Sequence, residues 1–469
     1  MESKMTKGNP LPIILKFVIP IFLGFVFQQF YNMVDTVIVG RFVSPKALAA
    51  VGSTGTIMFL VMGLANGMTT GYTVLISQRY GAGDDEGTRR AFVNSILLSV
   101  ISTAAITIIF LYLMHPILSL MNTPEDIYND AYAYISTICA GSICLIAYNL
   151  LASSLRAIGN SKTPLYFLVF SALLNICLDL LFIVAFHLGT FGAALATDVS
   201  QAVSAILCMI YIVKNVPVLR PKKKDWRLNG TYSKLQLNIG IPMALQFGIT
   251  ASGTMVMQSA INIYGSVAVT GFTAAGKVTN LMTAGMPSIG QTMAAYVGQN
   301  YGHGDIDRIE KGTRDALLIS AVYSVITGAL SILLLPNIIS LFFDKGVDIT
   351  TYLPYAKAYI YVCVPFYIPL AMIFIYRNSM QACGYGKTAL MLGIMELIAR
   401  LATAFTSLQI GKKDLAALIA AGKDTSGYIG TGYRLAVSCD AAAWISAGIL
   451  AYVLYKFVIR KIRKEMNPS

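Results

Sequence analysis

Charged residues are scarce in this chain of 469 residues. Asp, Glu, Lys and Arg make up 12% of it, compared with about 25% in soluble globular proteins. In contrast, 56% of the residues are hydrophobic and the mean hydropathy is +0.66. Few segments are polar enough to form the surface of a soluble domain, and apolar runs long enough to cross a bilayer recur along the whole length. The composition predicts an all-α membrane protein with many spans.

Histidine is also rare, and cysteine occurs only singly. The three histidines lie near loops, and the seven cysteines lie in or beside apolar runs. Neither residue type shows the spacing of metal ligands. An enzyme inside the membrane would need a nucleophile with its base, or metal ligands within the spans, and no histidine lies in the middle of a span. We therefore expect no catalytic residues, no cofactor and no enzymatic activity.

Lysine and arginine outnumber the acids and give a formal net charge of +13. In a soluble protein this excess would favour nucleic acid as a partner. Here the cations lie in short loops between apolar runs, where they orient a membrane protein. We expect the lipid bilayer, and no nucleic acid, as a partner of this chain.

Twelve apolar segments are predicted to span the membrane. The first is too long for a signal peptide and has no small-residue cleavage site, so it is interpreted as a span. The approximate cores are 12–38, 47–76, 92–114, 131–155, 164–187, 191–213, 235–262, 267–298, 315–342, 353–380, 388–409 and 436–458.

The cations fall mainly in loops after even-numbered spans. Arg89, Arg156 and Arg314 are examples, whereas the loop containing MNTPEDIYND, after an odd-numbered span, is acidic. This bias predicts that both termini are cytoplasmic. The location predicted for the protein is the inner (cytoplasmic) membrane of the cell.

The two halves of the chain are repeats of each other. QRYGAGD at 78–84 matches QNYGHGD at 299–305, and SSLRAIGNSKT at 153–163 matches NSMQACGYGKT at 378–388. Six spans per half give both repeats the same orientation in the membrane. The sequence predicts two pseudo-symmetric six-helix lobes around a central cleft, which is a transporter architecture.

The longest polar interruption divides the two repeats. It contains RPKKKDWRLNG and follows the sixth predicted span. We therefore predict an N-lobe over 1–213 with spans 1–6, a basic cytoplasmic linker over 214–234, and a C-lobe over 235–469 with spans 7–12.

Five motifs resemble the multidrug and toxic compound extrusion (MATE) family of antiporters. They are VIPIFLGFVFQQFYNMVDTVIVGRF in span one, ISQRYGAGD after span two, SSLRAIGNSKTP before span five, GAALAT in span six and VGQNYGHGD after span eight. The resemblance lies in their order and spacing and covers nearly the whole chain. The signature of the major facilitator superfamily, the other common fold with two six-helix lobes, is missing after span two.

Polar oxygens of the first half are predicted to meet within the membrane. Asp35 and Asp179 lie late in spans that run outward, Asn175 precedes Asp179 by one helical turn, and Thr197 lies at comparable depth in span six. Such an all-oxygen set suits Na⁺, with Asp35, Asn175 and Asp179 as ligands, or a proton held between two carboxylates. The resemblance implies that these four positions form a cation-binding or proton-binding site. The alternative roles are structural: hydrogen-bond acceptors for the acids, helix bridging for Asn175, and a bond from Thr197 to its own helix backbone.

Polar residues near Asp35 are expected to line a substrate cavity. Gln28, Tyr31 and Asn32 lie one to two turns before Asp35 on the first span. The resemblance implies a cavity-lining role for Gln28 and Tyr31. Asn149 in span four is a further candidate.

Two features recur in both halves and can be structural or functional. Pro20 matches Pro242, and a proline inside a span permits a kink, so Pro20 is either a shared structural feature or the conformational hinge of span one. Asp198 matches Asp440, so Asp198 is either a structural charge or an auxiliary proton site.

The second half lacks the carboxylate pair of the first. Met257 aligns with Asp35, and Arg400 aligns with Asn175. Glu396 and Arg400 are four residues apart on one predicted helix face. We expect Glu396 and Arg400 to be a structural charge pair, with Arg400 as a permanent internal cation.

Residues and resemblance together predict a secondary active multidrug efflux antiporter. It would export small organic compounds, chiefly cations, in exchange for H⁺ or Na⁺, and would act as a monomer. The alternative is a flippase for lipids or lipid-linked precursors from the same wider superfamily, which the paired acids disfavour. The segment around 411–435 is longer than its counterpart in the first half. It is interpreted as a local insertion, with a functional cap as the alternative, and DLAALIAA is a candidate short surface helix.

Overall fold

A computed structural model describes residues 4–121, 123–340, 348–421 and 428–466, and within these ranges the chain is helical without strands. The α-helices of the first half are α1 (Pro10–Phe42), α2 (Pro45–Ser53), α3 (Gly55–Gly81), α4 (Asp85–Leu120), α5 (Glu125–Ala140), α6 (Ser142–Ala157), α7 (Lys162–Asp179) and α8 (Gly189–Asn215). Those of the second half are α9 (Gly230–Asn262), α10 (Gly265–Thr283), α11 (Gly285–His303), α12 (Ile306–Leu333), α13 (Leu335–Ser340), α14 (Leu353–Cys363), α15 (Tyr367–Ala382), α16 (Gly386–Ala420), α17 (Thr431–Val437) and α18 (Cys439–Met466).

The predicted spans correspond to these helices. Among the described residues, ten segments are long and apolar enough to cross a membrane, and α5 with α6, which meet at a bend of 46°, make an eleventh. The remaining predicted span, 267–298, folds as α10 and α11. These two helices are less apolar because they are rich in glycine, serine and threonine.

The backbone repeats in the two halves as the sequence motifs do. α1 and α9 each have 33 residues with one internal proline, Pro20 or Pro242. The matched turns place glycine in the left-handed region at equivalent positions, with φ of 76° at Gly83 and 82° at Gly304. A side chain is strained at such a φ, so both repeats need glycine there. The internal repeat predicted from the sequence is present in the fold.

The interpretation of the segment around 411–435 needs a correction. DLAALIAA is not a separate surface helix, because α16 continues without a break to Ala420 and includes it. The alanine- and leucine-rich sequence has high helix propensity and extends the preceding helix. Residues 422–427 lie outside the described residues.

The chain forms two compact units. The first comprises Met1–Gly248, Thr292–Ile309 and Gln381–Lys387, and the second comprises Ile249–Gln291, Glu310–Met380 and Thr388–Ser469. The lobe boundaries drawn from the sequence, at 213 and 235, stay a prediction.

The basic segment 214–234 is anchored to the first unit by a buried ion pair. Arg89 Nε lies 2.6 Å from Asp225 Oδ2, and the backbone N–H of Lys222 donates to the same oxygen at 3.0 Å. Both Arg89 and Asp225 are buried. Burial raises the pKa of Asp225, but the hydrogen bonds from Arg89 and Lys222 and the nearby cations outweigh it, so the pKa stays below its usual value.

Replacing Asp225 by asparagine is expected to loosen this segment. The variant leaves the buried Arg89 guanidinium with only the exposed Glu86, 4.0 Å away, as its counter-charge. Breaking a buried pair costs about 3–5 kcal/mol, and the loss should fall towards the lower end of this range. Trypsin should therefore cut within 214–234 at least several-fold faster than in the wild type. Asp85→Asn, at an exposed carboxylate on α4, should leave the cleavage rate unchanged. Because the folded pKa of Asp225 is lowered, its contribution to stability is full above the unfolded value and is lost only as the pH falls through the lower folded value. Equal cleavage of Asp225→Asn and wild type at neutral pH would contradict the anchoring role.

Candidate functional site

The carboxylate of Asp179 is placed by an irregularity in the fifth predicted span. Helix α7 ends at Asp179, and the chain continues as a π-helix over Leu180–Ala185. A π-helical turn widens the helix by one residue and is common at functional sites. Asp179 lies at the junction and is fully buried.

Asp35 on α1 meets Asp179 across the helix interface. Their carboxyl groups lie within hydrogen-bonding reach of each other, and Asp35 is half-buried. A hydrogen bond between two carboxyl groups requires a proton on one of them, because two carboxylates are both acceptors. A hydrogen bond within this pair would therefore need one added proton. No ion pair joins Asp35 to a lysine or arginine within the described ranges.

Asn175, Thr197 and Tyr31 complete the group around the carboxyl pair. Asn175 Nδ2 donates to Thr197 Oγ1 at 3.4 Å, and Thr197 also donates to the carbonyl of Ala193 on its own helix at 3.2 Å. The hydroxyl of Tyr31 hydrogen-bonds to Thr197. The structure thus brings together the four predicted residues Asp35, Asn175, Asp179 and Thr197. Their role as an ion site stays a prediction.

Two features of this region were missed from the sequence. Tyr134 on α5 is buried within electrostatic range of Asp35 and Asp179. The carboxylate of Asp198 lies against the Cα of Gly141, at the bend between α5 and α6, where a side chain on residue 141 would overlap it. Asp198 has no ion pair among the described residues. Gly141 lies within a predicted span, and a glycine there can indicate a close contact such as that with Asp198. No pattern in the sequence indicated Tyr134.

The other cavity candidates are not joined to this group. Gln28 and Asn149 are half-buried and Asn32 is exposed, and no side-chain hydrogen bond links them to the carboxyl pair in the described part of the chain. Pro20 is buried inside α1, which continues through it as one helix. The cavity and hinge roles of these residues stay predictions.

The second half holds a charge network in place of a carboxylate pair. Arg400 lies 3.3 Å from Glu396 and 3.1 Å from Asp440, measured between side-chain nitrogen and oxygen atoms. Arg377 lies 3.7 Å from Glu396, and the hydroxyl of Tyr359 donates to Asp440 at 2.8 Å. The predicted Glu396–Arg400 pair is present, and two arginines balance two carboxylates.

Matched positions of the two halves therefore differ in their charged neighbours. Asp440 has Arg400 as its counter-ion, whereas the matched Asp198 has Asn175 at the position that corresponds to Arg400. The network of the second half is neutral and internally satisfied. The region around Asp35 carries carboxyl groups and hydroxyls, and this favours binding of a cation there.

Comparisons with known proteins identify the family of this chain. The MatE family model matches residues 20–181 and 242–406. The chain is 32% identical to the probable multidrug resistance protein YpnP of Bacillus subtilis over 308 residues, which are 65% of this chain and 68% of that protein. It is 25% identical to the probable multidrug resistance protein YoeA of the same organism, over 74% of this chain and 76% of that protein.

A solved structure shows the same fold. It is the outward-facing conformation of a multidrug resistance MATE family transporter, which shares 23% identity with this chain, covers 98% of both chains and has a TM-score of 0.88. The all-α membrane fold predicted from the sequence is confirmed. The repeated helices, the family match and the relatives together show that this chain belongs to the MATE family of multidrug efflux transporters.

Proposed function

We propose that this protein is a secondary antiporter that exports small organic cations in exchange for an inward flow of ions. Of the two candidate ions, H⁺ and Na⁺, the proton is the one that we propose. The observation that carries this choice is the close approach of the carboxyl groups of Asp35 and Asp179 between the membrane-spanning helices α1 and α7. Two carboxylates this close repel each other, which favours a proton shared between them, whereas Na⁺ would bind two deprotonated carboxylates.

Coupling would follow from the change in charge of the pair. When the pair loses its proton, two negative charges lie side by side at a buried position, which favours a bound organic cation or a rearranged α1. When a proton enters, the negative charge falls and the attraction for a cation weakens. Ion and substrate then favour different states, as exchange requires.

The orientation that we propose has both termini in the cytoplasm and the protein in the inner membrane, as a monomer. The basic loops support this orientation through the positive-inside rule. The lysines and arginines of 214–234 are exposed, and the one acidic residue of this segment, Asp225, is buried in its pair with Arg89. The exposed surface of the loop is therefore strongly positive.

The test is uptake of ethidium into everted membrane vesicles under one imposed gradient at a time. A pH gradient, acid inside, is expected to drive uptake, because protons leaving the vesicle would exchange for the dye. A sodium gradient at uniform pH is expected to give no more uptake than vesicles without the protein. A proton-conducting ionophore should remove the pH-driven uptake.

Each alternative has its own outcome in this experiment. Uptake under the sodium gradient alone would replace the proton by Na⁺ and keep the antiport. No uptake under either gradient, with ethidium binding to the purified protein intact, would contradict ion-coupled export of organic cations.

A further inference from the structure

Two matched glutamines join the repeats at the ends of α3 and α11. Gln78 Nε2 donates to the carbonyl of Ala382 at 2.7 Å, and Gln299 Nε2 donates to the carbonyl of Ala157 at 2.9 Å. Gln78 matches Gln299 in the first repeated motif, and Ala157 matches Ala382 in the second. The same hydrogen bond is therefore made twice, once in each direction between the repeats.

The backbones meet closely at the same place. A Cβ on Gly81 would overlap the carbonyl oxygen of Gln299, and a Cβ on its match Gly302 would overlap the carbonyl oxygen of Gln78. Only glycine allows this approach of the two helices. The contact is reciprocal, so it lies on the pseudo-two-fold axis that relates the repeats.

The first residues of the chain reinforce one of the two glutamines. The backbone N–H of Met5 donates to Gln299 Oε1 at 2.9 Å, and the carbonyl of Met5 accepts from Arg308 Nε at 3.2 Å and from Asn300 Nδ2 at 3.3 Å. The side chain of Met5 is buried, with 1% exposed. Among the described residues, no comparable segment contacts Gln78. The hydrogen bond of Gln299 is therefore reinforced, whereas that of Gln78 is not.

All of these residues belong to the first compact unit and lie on the face with the basic loops, which we propose is cytoplasmic. Each hydrogen bond connects one repeat to the other. A carrier that exposes one site to each side of the membrane in turn must separate its repeats on each face in turn. Two neutral hydrogen bonds can open reversibly because each contributes modestly, unlike a buried charge pair.

We propose that Gln78 and Gln299, with the carbonyls of Ala382 and Ala157, form the cytoplasmic gate of this transporter, and that the segment around Met5 fastens it. The gate rests on the proposed function as a carrier, but it does not depend on which ion or compound is carried. The bonds break when the cytoplasmic face opens and form again when it closes.

The first experiment locks the contact covalently. In a full-length chain whose seven native cysteines are replaced, Gln78→Cys and Ala382→Cys are joined by a bismaleimide with a reducible spacer. Cross-linking is expected to stop gradient-driven uptake of ethidium, and reduction should restore it. The control joins Glu86→Cys to Lys224→Cys, two exposed positions of the first half whose side chains lie 3.0 Å apart, and should leave transport unchanged. If the fully cross-linked Gln78→Cys, Ala382→Cys protein takes up ethidium at the rate of the same protein before cross-linking, the gate is overturned.

The second experiment needs neither substrate nor gradient. Native Cys383 follows Ala382 directly and is buried, with 4% exposed. In a chain with Cys383 as its sole cysteine, Gln78→Leu with Gln299→Leu should raise the rate of its alkylation by a water-soluble maleimide about tenfold to thirtyfold, because two hydrogen bonds that hold the closed state are lost. Gln409→Leu, at an exposed glutamine of α16, is the matched control and should leave the rate unchanged.

The two experiments distinguish failure of the proposed gate from failure of the proposed transport function. Faster alkylation in the folded double variant supports the gate even if ethidium is not a substrate. An unchanged alkylation rate in the folded double variant would overturn it.

Discussion

Asp35→Asn is expected to abolish the steady-state gradient of ethidium that a pH gradient sustains in everted vesicles. An asparagine amide can donate to Asp179 without any added proton, so the variant mimics the protonated pair at every pH. Release and uptake of the proton then no longer accompany the transport cycle. Coupling free energies of this kind are typically about 1–3 kcal/mol, or 5- to 150-fold in affinity, and the variant should lose this difference entirely.

The most direct measurement is ethidium affinity as a function of pH. In the wild type the affinity should fall as the pair takes up its proton, whereas in Asp35→Asn it should not change with pH. Asp126→Asn, at an exposed carboxylate paired with Lys46 on the surface, is the control and should behave as the wild type. Gradient-driven uptake by Asp35→Asn at the wild-type rate would show that Asp35 is structural and that the proposed mechanism is wrong.

Arg400→Gln is expected to reduce the amount of folded protein sharply while the remaining protein transports normally. The guanidinium is buried between Glu396 and Asp440, and removal of one partner from a buried ionic network costs about 3–5 kcal/mol. Arg377 and Tyr359 still contact the two acids, so the loss should fall towards the lower end of this range. The measurement is the melting temperature in detergent together with uptake per folded molecule.

A second substitution distinguishes stability from coupling. Asp440→Asn in the Arg400→Gln background removes the carboxylate that lost its counter-ion, so part of the stability should return, as a double-mutant cycle would show. Arg314→Gln, at an exposed arginine of α12, should change neither quantity. Well-folded Arg400→Gln protein without ion-driven uptake would contradict the structural role and place the second half in the coupling mechanism.

The Asp35 and Arg400 variants compare the different charged groups that the two repeats place at related positions. The first half has a carboxyl pair, which we propose gains and loses a proton, and the second half has a neutral ionic network at matched positions. A duplicated fold can thus keep one half structural while the other half cycles, with Asp198 and Asp440 as the matched pair in which the difference is visible.

Much of this protein follows from its sequence alone. The helical spans, the internal repeat and the family resemblance follow from apolar length and repeated motifs, because a bilayer permits only backbones that satisfy their own hydrogen bonds. The meeting of Asp35, Asn175, Asp179 and Thr197 also follows, since position along a span fixes depth in the membrane. The Glu396–Arg400 pair follows from helical spacing.

The tertiary structure decided which side chains face one another across helices. Tyr134 beside the carboxyl pair, Asp198 against Gly141, Arg400 on Asp440 and the reciprocal glutamines depend on how each helix is rotated about its axis. The apolar residues of helices such as α1 are spread around the whole helix, so the sequence carries no hydrophobic stripe that would define this rotation. In a bilayer, close packing and interhelical hydrogen bonds set it instead, and those arise only once the helices are assembled.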